Sequence, residues 1–93
     1  MTKKQYNKHE DEFLKFERIE NKTSNRADLH AFNLLDKLVP GHLDIVAAAE
    51  HDQIWLEVSP KELSKVATEE QIIELIRCGV FYDSENDSLS MFV

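Results

Sequence analysis

Ser59-Pro60-Lys61-Glu62-Leu63-Ser64-Lys65-Val66-Ala67-Thr68-Glu69-Glu70-Gln71-Ile72-Ile73-Glu74-Leu75-Ile76-Arg77-Cys78-Gly79 starts a helix twice within twenty-one residues, and the rest of the chain is read outward from it. Ser59 puts a hydroxyl at an N-cap, Pro60 occupies the first helical position and Glu62 the third, so side chains meet backbone donors that have no partner inside a helix. Thr68-Glu69-Glu70-Gln71 repeats this nine residues later. The first helix is short and carries Leu63, Val66 and Ala67. The second runs to Cys78 with Ile72, Ile73, Leu75 and Ile76 inward, and Gly79 suits its C-terminal stop.

Downstream, Val80 to Asp83 and Leu89 to Val93 alternate as strands around the turn residues Ser84-Glu85-Asn86-Asp87-Ser88. Leu89, Met91 and Val93 share one face of the closing strand, which is read as a sheet edge open to pairing with another chain. Upstream, Leu43 to Ala49 and Ile54 to Val58 form a second hairpin across Glu50-His51-Asp52-Gln53. There Ile54, Leu56 and Val58 lie opposite Trp55 and Glu57. Arg26 to Val39 presents Ala27, Ala31, Leu34, Leu35 and Leu38 as one helical stripe, with Pro40-Gly41 beyond it and an N-cap expected within Asn21 to Asn25. Phe13, Phe16 and Ile19, with Leu14 beside them, predict a short helix over 9–20, and residues 1–8 are expected to fray. The fold class is α+β: two N-terminal helices, a hairpin, two short helices and a C-terminal hairpin, the strands forming an antiparallel sheet of about four with helices packed on it.

Charge divides the 93-residue chain unevenly. Residues 1–26 hold seven Lys/Arg and five Asp/Glu, whereas 27–93 hold four and thirteen, a net +2 against a net −9. The expected organisation is a basic extension with a short helix over 1–25 and an acidic domain over 26–93. A field of that sign repels phosphate backbones and anionic lipid and favours a protein with a basic face. A single cysteine suits a reducing compartment, and neither a secretory leader nor a membrane span is legible, so the expected location is the cytoplasm.

The helix–helix–hairpin order is also that of winged-helix DNA readers, but the helix that would enter the groove offers Glu69, Glu70 and Glu74 against Arg77, and the wing would carry Asp83, Glu85 and Asp87. The same acids would serve an imitation of nucleic acid if they converge on one face. His30, His42, His51 and Asp52 have no zinc-like spacing, and Asp83-Glu85-Asp87 begins a calcium loop that lacks its glycine and its twelfth residue. No metal or cofactor is expected. Cys78 with a histidine is formally a catalytic dyad, yet its place at the end of an apolar helix suits a buried small side chain, and no catalytic function is expected. Trp55, Phe81 and Phe92 complete the candidate contact residues, with Phe13 and Phe16 as the side chains that would otherwise cover them.

Glu74-Leu75-Ile76-Arg77-Cys78-Gly79-Val80-Phe81-Tyr82-Asp83, Leu89-Ser90-Met91-Phe92-Val93 and Glu50-His51-Asp52-Gln53-Ile54 resemble segments of short accessory proteins encoded by tailed bacteriophages. That resemblance implies a protein acting in a bacterial cytoplasm by binding a host or phage protein, and assigns no residue a role. The reading that follows is a non-enzymatic protein-binding module that modulates or inhibits its partner. The alternatives are an acidic nucleic-acid mimic that blocks a DNA-binding enzyme, and a self-assembling protein joined through its edge strand or its first helix.

Overall fold

The computed structural model describes residues 1–93. In chain order it has α1 (Lys3–Lys8), single 3-10 turns at Glu10–Glu12 and Phe16–Arg18, α2 (Ala27–Leu38), β1 (Val46–Glu50), β2 (Gln53–Leu56), α3 (Pro60–Val66), α4 (Glu69–Arg77), β3 (Phe81–Asp83) and β4 (Ser88–Phe92). The strands form one antiparallel sheet in the order β1-β2-β4-β3, so the fold is α+β.

Both helix starts in the opening run form as their side chains dictate. The Ser59 hydroxyl accepts from the Glu62 amide, with Pro60 in the first turn, and Thr68 and Gln71 make a reciprocal capping box. Gly79 follows at φ +98, a backbone shape that L residues seldom adopt, and so turns the chain from α4 into β3. Leu63, Ile72, Leu75 and Ile76 are buried with Ala31 and Leu35 of α2 and with Leu56, Val58, Leu89 and Met91 of the sheet side, in one continuous core.

The register sorts the sheet into cross-strand rows. Ala49, Ile54 and Met91 form one row, and Leu56, Leu89 and Tyr82 another, both on the helix side. Glu50, Gln53 and Phe92, then Ala48, Trp55, Ser90 and Phe81, then Ser88 and Asp83 alternate with them on the opposite face.

Several expectations are corrected. Residues 1–8 do not fray: Thr2 and Gln5 form a capping box, and Met1 is fully buried with its amino group donating to the Pro60 carbonyl at 2.8 Å. The first helix therefore lies ahead of its expected place, and 9–20 is broken into two turns because Leu14 adopts φ +63, outside the right-handed helical region. The cap of α2 is Arg26, whose side chain makes no capping bond. Ser24 instead accepts from the Arg26 amide. β1 starts at Val46 and extends to Glu50, and β2 spans Gln53–Leu56, because the turn tightens to His51-Asp52 with His51 at φ +55. The closing strand is no edge: β4 lies between β2 and β3, leaving β1 and β3 outermost. Val93 does not join Leu89 and Met91 in the core but stands in solvent.

Candidate functional site

On the sheet face opposite the helices, Trp55 is half-buried and its indole N–H donates to Asp83 Oδ2 at 2.9 Å. Asp83 also accepts from Asn86 Nδ2 at 2.7 Å and from the Glu85 amide at 3.0 Å, and these bonds, the one from Asn86 foremost, hold its carboxyl below the usual range. Asp87 accepts from the Tyr82 hydroxyl at 2.5 Å, which pushes that phenol up. The hairpin acids are thus tied into their own turn, while the Glu85 residue remains exposed.

Phe81 and Phe92 come together on that face, stacked at 4.9 Å. Phe13 and Tyr6 meet Phe81 from the β3 edge at 6.1 and 6.4 Å, whereas Phe16 turns away to His30. The N-terminal segment therefore covers the Phe81 end of the face and leaves Phe92 57 % exposed.

The acids of α4 are differently placed. Glu69 pairs with Lys8 at 3.4 Å and with His9, and these contacts, His9 first, hold its carboxyl low. Glu74 accepts from His30 Nε2 at 2.6 Å. Glu70 lines a polar cleft of about 500 Å³ with Arg18 and Arg77. Glu12, in the first 3-10 turn, bridges those two guanidinium groups, at 2.6 Å to Arg77 Nε and 2.8 Å to Arg18 Nη1. Cations of the basic segment thus lie against α4 of the same chain. Glu69 and Glu74 are held by the N-terminal segment and α2, whereas Asp83 and Asp87 are held within the C-terminal hairpin.

His30 is 2 % exposed, with both ring nitrogens engaged. Its Nδ1 accepts from the Thr23 amide at 3.1 Å, so the ring proton sits on Nε2 and points at Glu74. The Thr23 hydroxyl lies 3.3 Å from the same Nδ1, giving the residue types of a hydroxyl–imidazole–carboxylate relay. The lone pair that would take the hydroxyl proton is already occupied by the amide, so the arrangement ties α2 to α4 rather than activating Thr23. Cys78 is 2 % exposed, and burial, assisted by the charge of Glu74, pushes its thiol up to about 12, far from a reactive thiolate at neutral pH. No three His, Cys, Asp or Glu side chains gather in a metal-binding group.

Sequence reasoning missed one feature. Leu14, held at φ +63 and by its amide to the Ile76 carbonyl at 3.2 Å, is 62 % exposed. With Phe92 and Val93 (75 % exposed) it lines a mostly apolar groove of about 380 Å³ together with Ile54 and Met91, where Arg26 and Asp28 supply the charged part of the lining. The available signal was that Leu14 falls outside the Phe13-Phe16-Ile19 spacing, so a helix would already have turned it away from the core. Compared with models of protein families, with curated proteins and with solved structures, the chain matches none.

Proposed function

We propose that this chain is a small non-enzymatic module that binds one protein partner and modulates or inhibits it, using the end of the sheet where Leu14, Phe92 and Val93 stand exposed. The observation that carries the reading is this apolar rim: three large side chains in solvent around one groove, one of them on a backbone conformation that costs roughly 1–3 kcal/mol. Covering what remains exposed of these side chains contributes about 1–2 kcal/mol each, enough for a few anchors to dominate an interface. The net charge of −7 then favours a basic partner and quickens encounter rather than supplying most of the affinity. The resemblance to phage accessory proteins makes a bacterial cytoplasm the place to seek the partner, a host or phage protein. Nucleic-acid mimicry is the weaker reading, because Glu69 and Glu74 already have partners within the chain.

The test is capture of bacterial proteins on the immobilised chain, washed over a salt series and repeated with excess duplex DNA. A stoichiometric partner that survives both washes and is lost from a folded Leu14→Ser/Phe92→Ala variant supports the module. Retention by that variant, or release by DNA, overturns it, the latter in favour of mimicry.

A further inference from the structure

We infer that β1 is a docking edge at which an extended, basic segment of the partner protein adds to the sheet as a further strand. This deepens the proposed binding function and rests on it. All five β1 residues, Val46 to Glu50, are exposed, and β2 is the strand's only sheet neighbour. Every second residue of such a strand turns its amide and carbonyl away from the sheet, so β1 presents unpaired backbone groups to solvent. The other edge is different: β3 lies against α1, with Tyr6 and Phe13 on Phe81. Edges without a partner are ordinarily blunted by charged side chains, proline, a β-bulge or a covering element. Of these β1 has only the irregularity between Val46 and Ala48 and the terminal Glu50, which leaves Ala48 and Ala49 undefended. The β1 edge is Val46-Ala47-Ala48-Ala49 with one irregularity in register, and its small side chains leave room for another backbone.

Charge chooses the occupant. No Lys or Arg stands between Lys37 and Lys61, while Asp44, Glu50, Asp52 and Glu57 are all exposed there. None of these four carboxylates meets a Lys or Arg, and the sole cation-type contact is His51 at 3.7 Å from Glu50, in contrast to the paired Glu12 and Glu69. On the sheet face beside β1 a cleft of about 400 Å³ is lined by Ala48, Glu50, Trp55, Asn86 and Ser88. A Lys or Arg of the added strand reaching over Ala48 meets the Trp55 ring and the Glu50 carboxylate together. A second copy fits poorly: β1 ends on Glu50 and is flanked by Asp44 and Asp52, so two such edges laid together crowd carboxylates with no Lys or Arg between them.

The experiment titrates the full chain with synthetic peptides about ten residues long, lysine alternating with valine, followed by amide hydrogen exchange and Trp55 fluorescence. Two controls carry glutamate in place of lysine, or N-methyl groups on alternate amides. The expected result is saturable binding of the basic peptide alone, exchange at Ala47–Ala49 slowed roughly tenfold or more, and binding weakened by about the same factor in folded Glu50→Lys and Ala48→Lys chains. Equal binding of either control, protection elsewhere, no binding, or β1 already protected in a dimer of the free chain overturns the inference. A partner held through Leu14 and Phe92 whose binding leaves β1 exchange unchanged also overturns it while sparing the module. Loss of every protein partner in the capture experiment removes the module itself, and the two failures are thereby told apart.

Discussion

Gly79 and Leu14 meet at the C-terminal end of α4, and their relation yields a specific expectation. A Cβ on Gly79 would fall 2.9 Å from Leu14 Cδ2, yet that carbon ends a flexible, exposed side chain, so the dominant cost of Gly79→Ala is the backbone at φ +98. The variant should lose roughly 1–3 kcal/mol in urea denaturation, and adding Leu14→Ala should recover little of it. His30 makes a second case. His30→Leu keeps the volume but removes the tie from α2 to the Thr23 amide and the Glu74 carboxylate, both within reach of solvent, and should cost about 0.5–1.5 kcal/mol by the same measurement. Nitrogen NMR of the wild-type ring should show the Nε2–H tautomer, since the Thr23 amide already donates to Nδ1.

Among the elements, the N-terminal segment answers to acid. Glu12 is held below its ordinary value of 4.5, first by the hydrogen bond from Arg77, and Glu69 likewise, first by that from His9. A carboxyl whose folded value is depressed contributes fully above the unfolded value and loses that contribution as pH falls through the folded one. Residues 3–18 should therefore exchange their amides faster as pH drops below about 4.5, relative to the rest of the chain, and Glu12→Gln should flatten that dependence. The helices were unequally legible for a related reason. α3 and α4 could be read from Ser59-Pro60 and Thr68-x-x-Gln71 because their caps are local chemistry. Thr2-x-x-Gln5 is the same chemistry and went unread, since no apolar stripe follows it and what anchors α1 is distant: Met1 in the core, Gln5 on Ser64, Tyr6 on Phe81. Of the site, the placement of Trp55 and Phe92 on one sheet face was legible from strand alternation. The apolar groove was not, because it depends on where Leu14 docks after its helix-breaking turn.

For the molecule as a whole, a radius of gyration of 11.9 Å, against about 12 Å expected for a folded domain of this length, leaves no room for a projecting arm. The basic and acidic portions distinguished by composition share one core, in which Met1 and Ile19 touch the same cluster as Leu75 and Leu89. Deleting residues 1–15 should therefore act on everything, costing on the order of 4 kcal/mol and lowering the melting midpoint by roughly 15–30 °C in circular dichroism, with a single transition retained. Cys78 makes such opening countable without any added label. Because its thiol is buried and its value raised to about 12, a coloured disulfide reagent modifies only those molecules in which the end of α4 has come apart. The labelling rate of the native protein is thus a clock for its own breathing, and a ligand that grips the folded state would announce itself by slowing that clock.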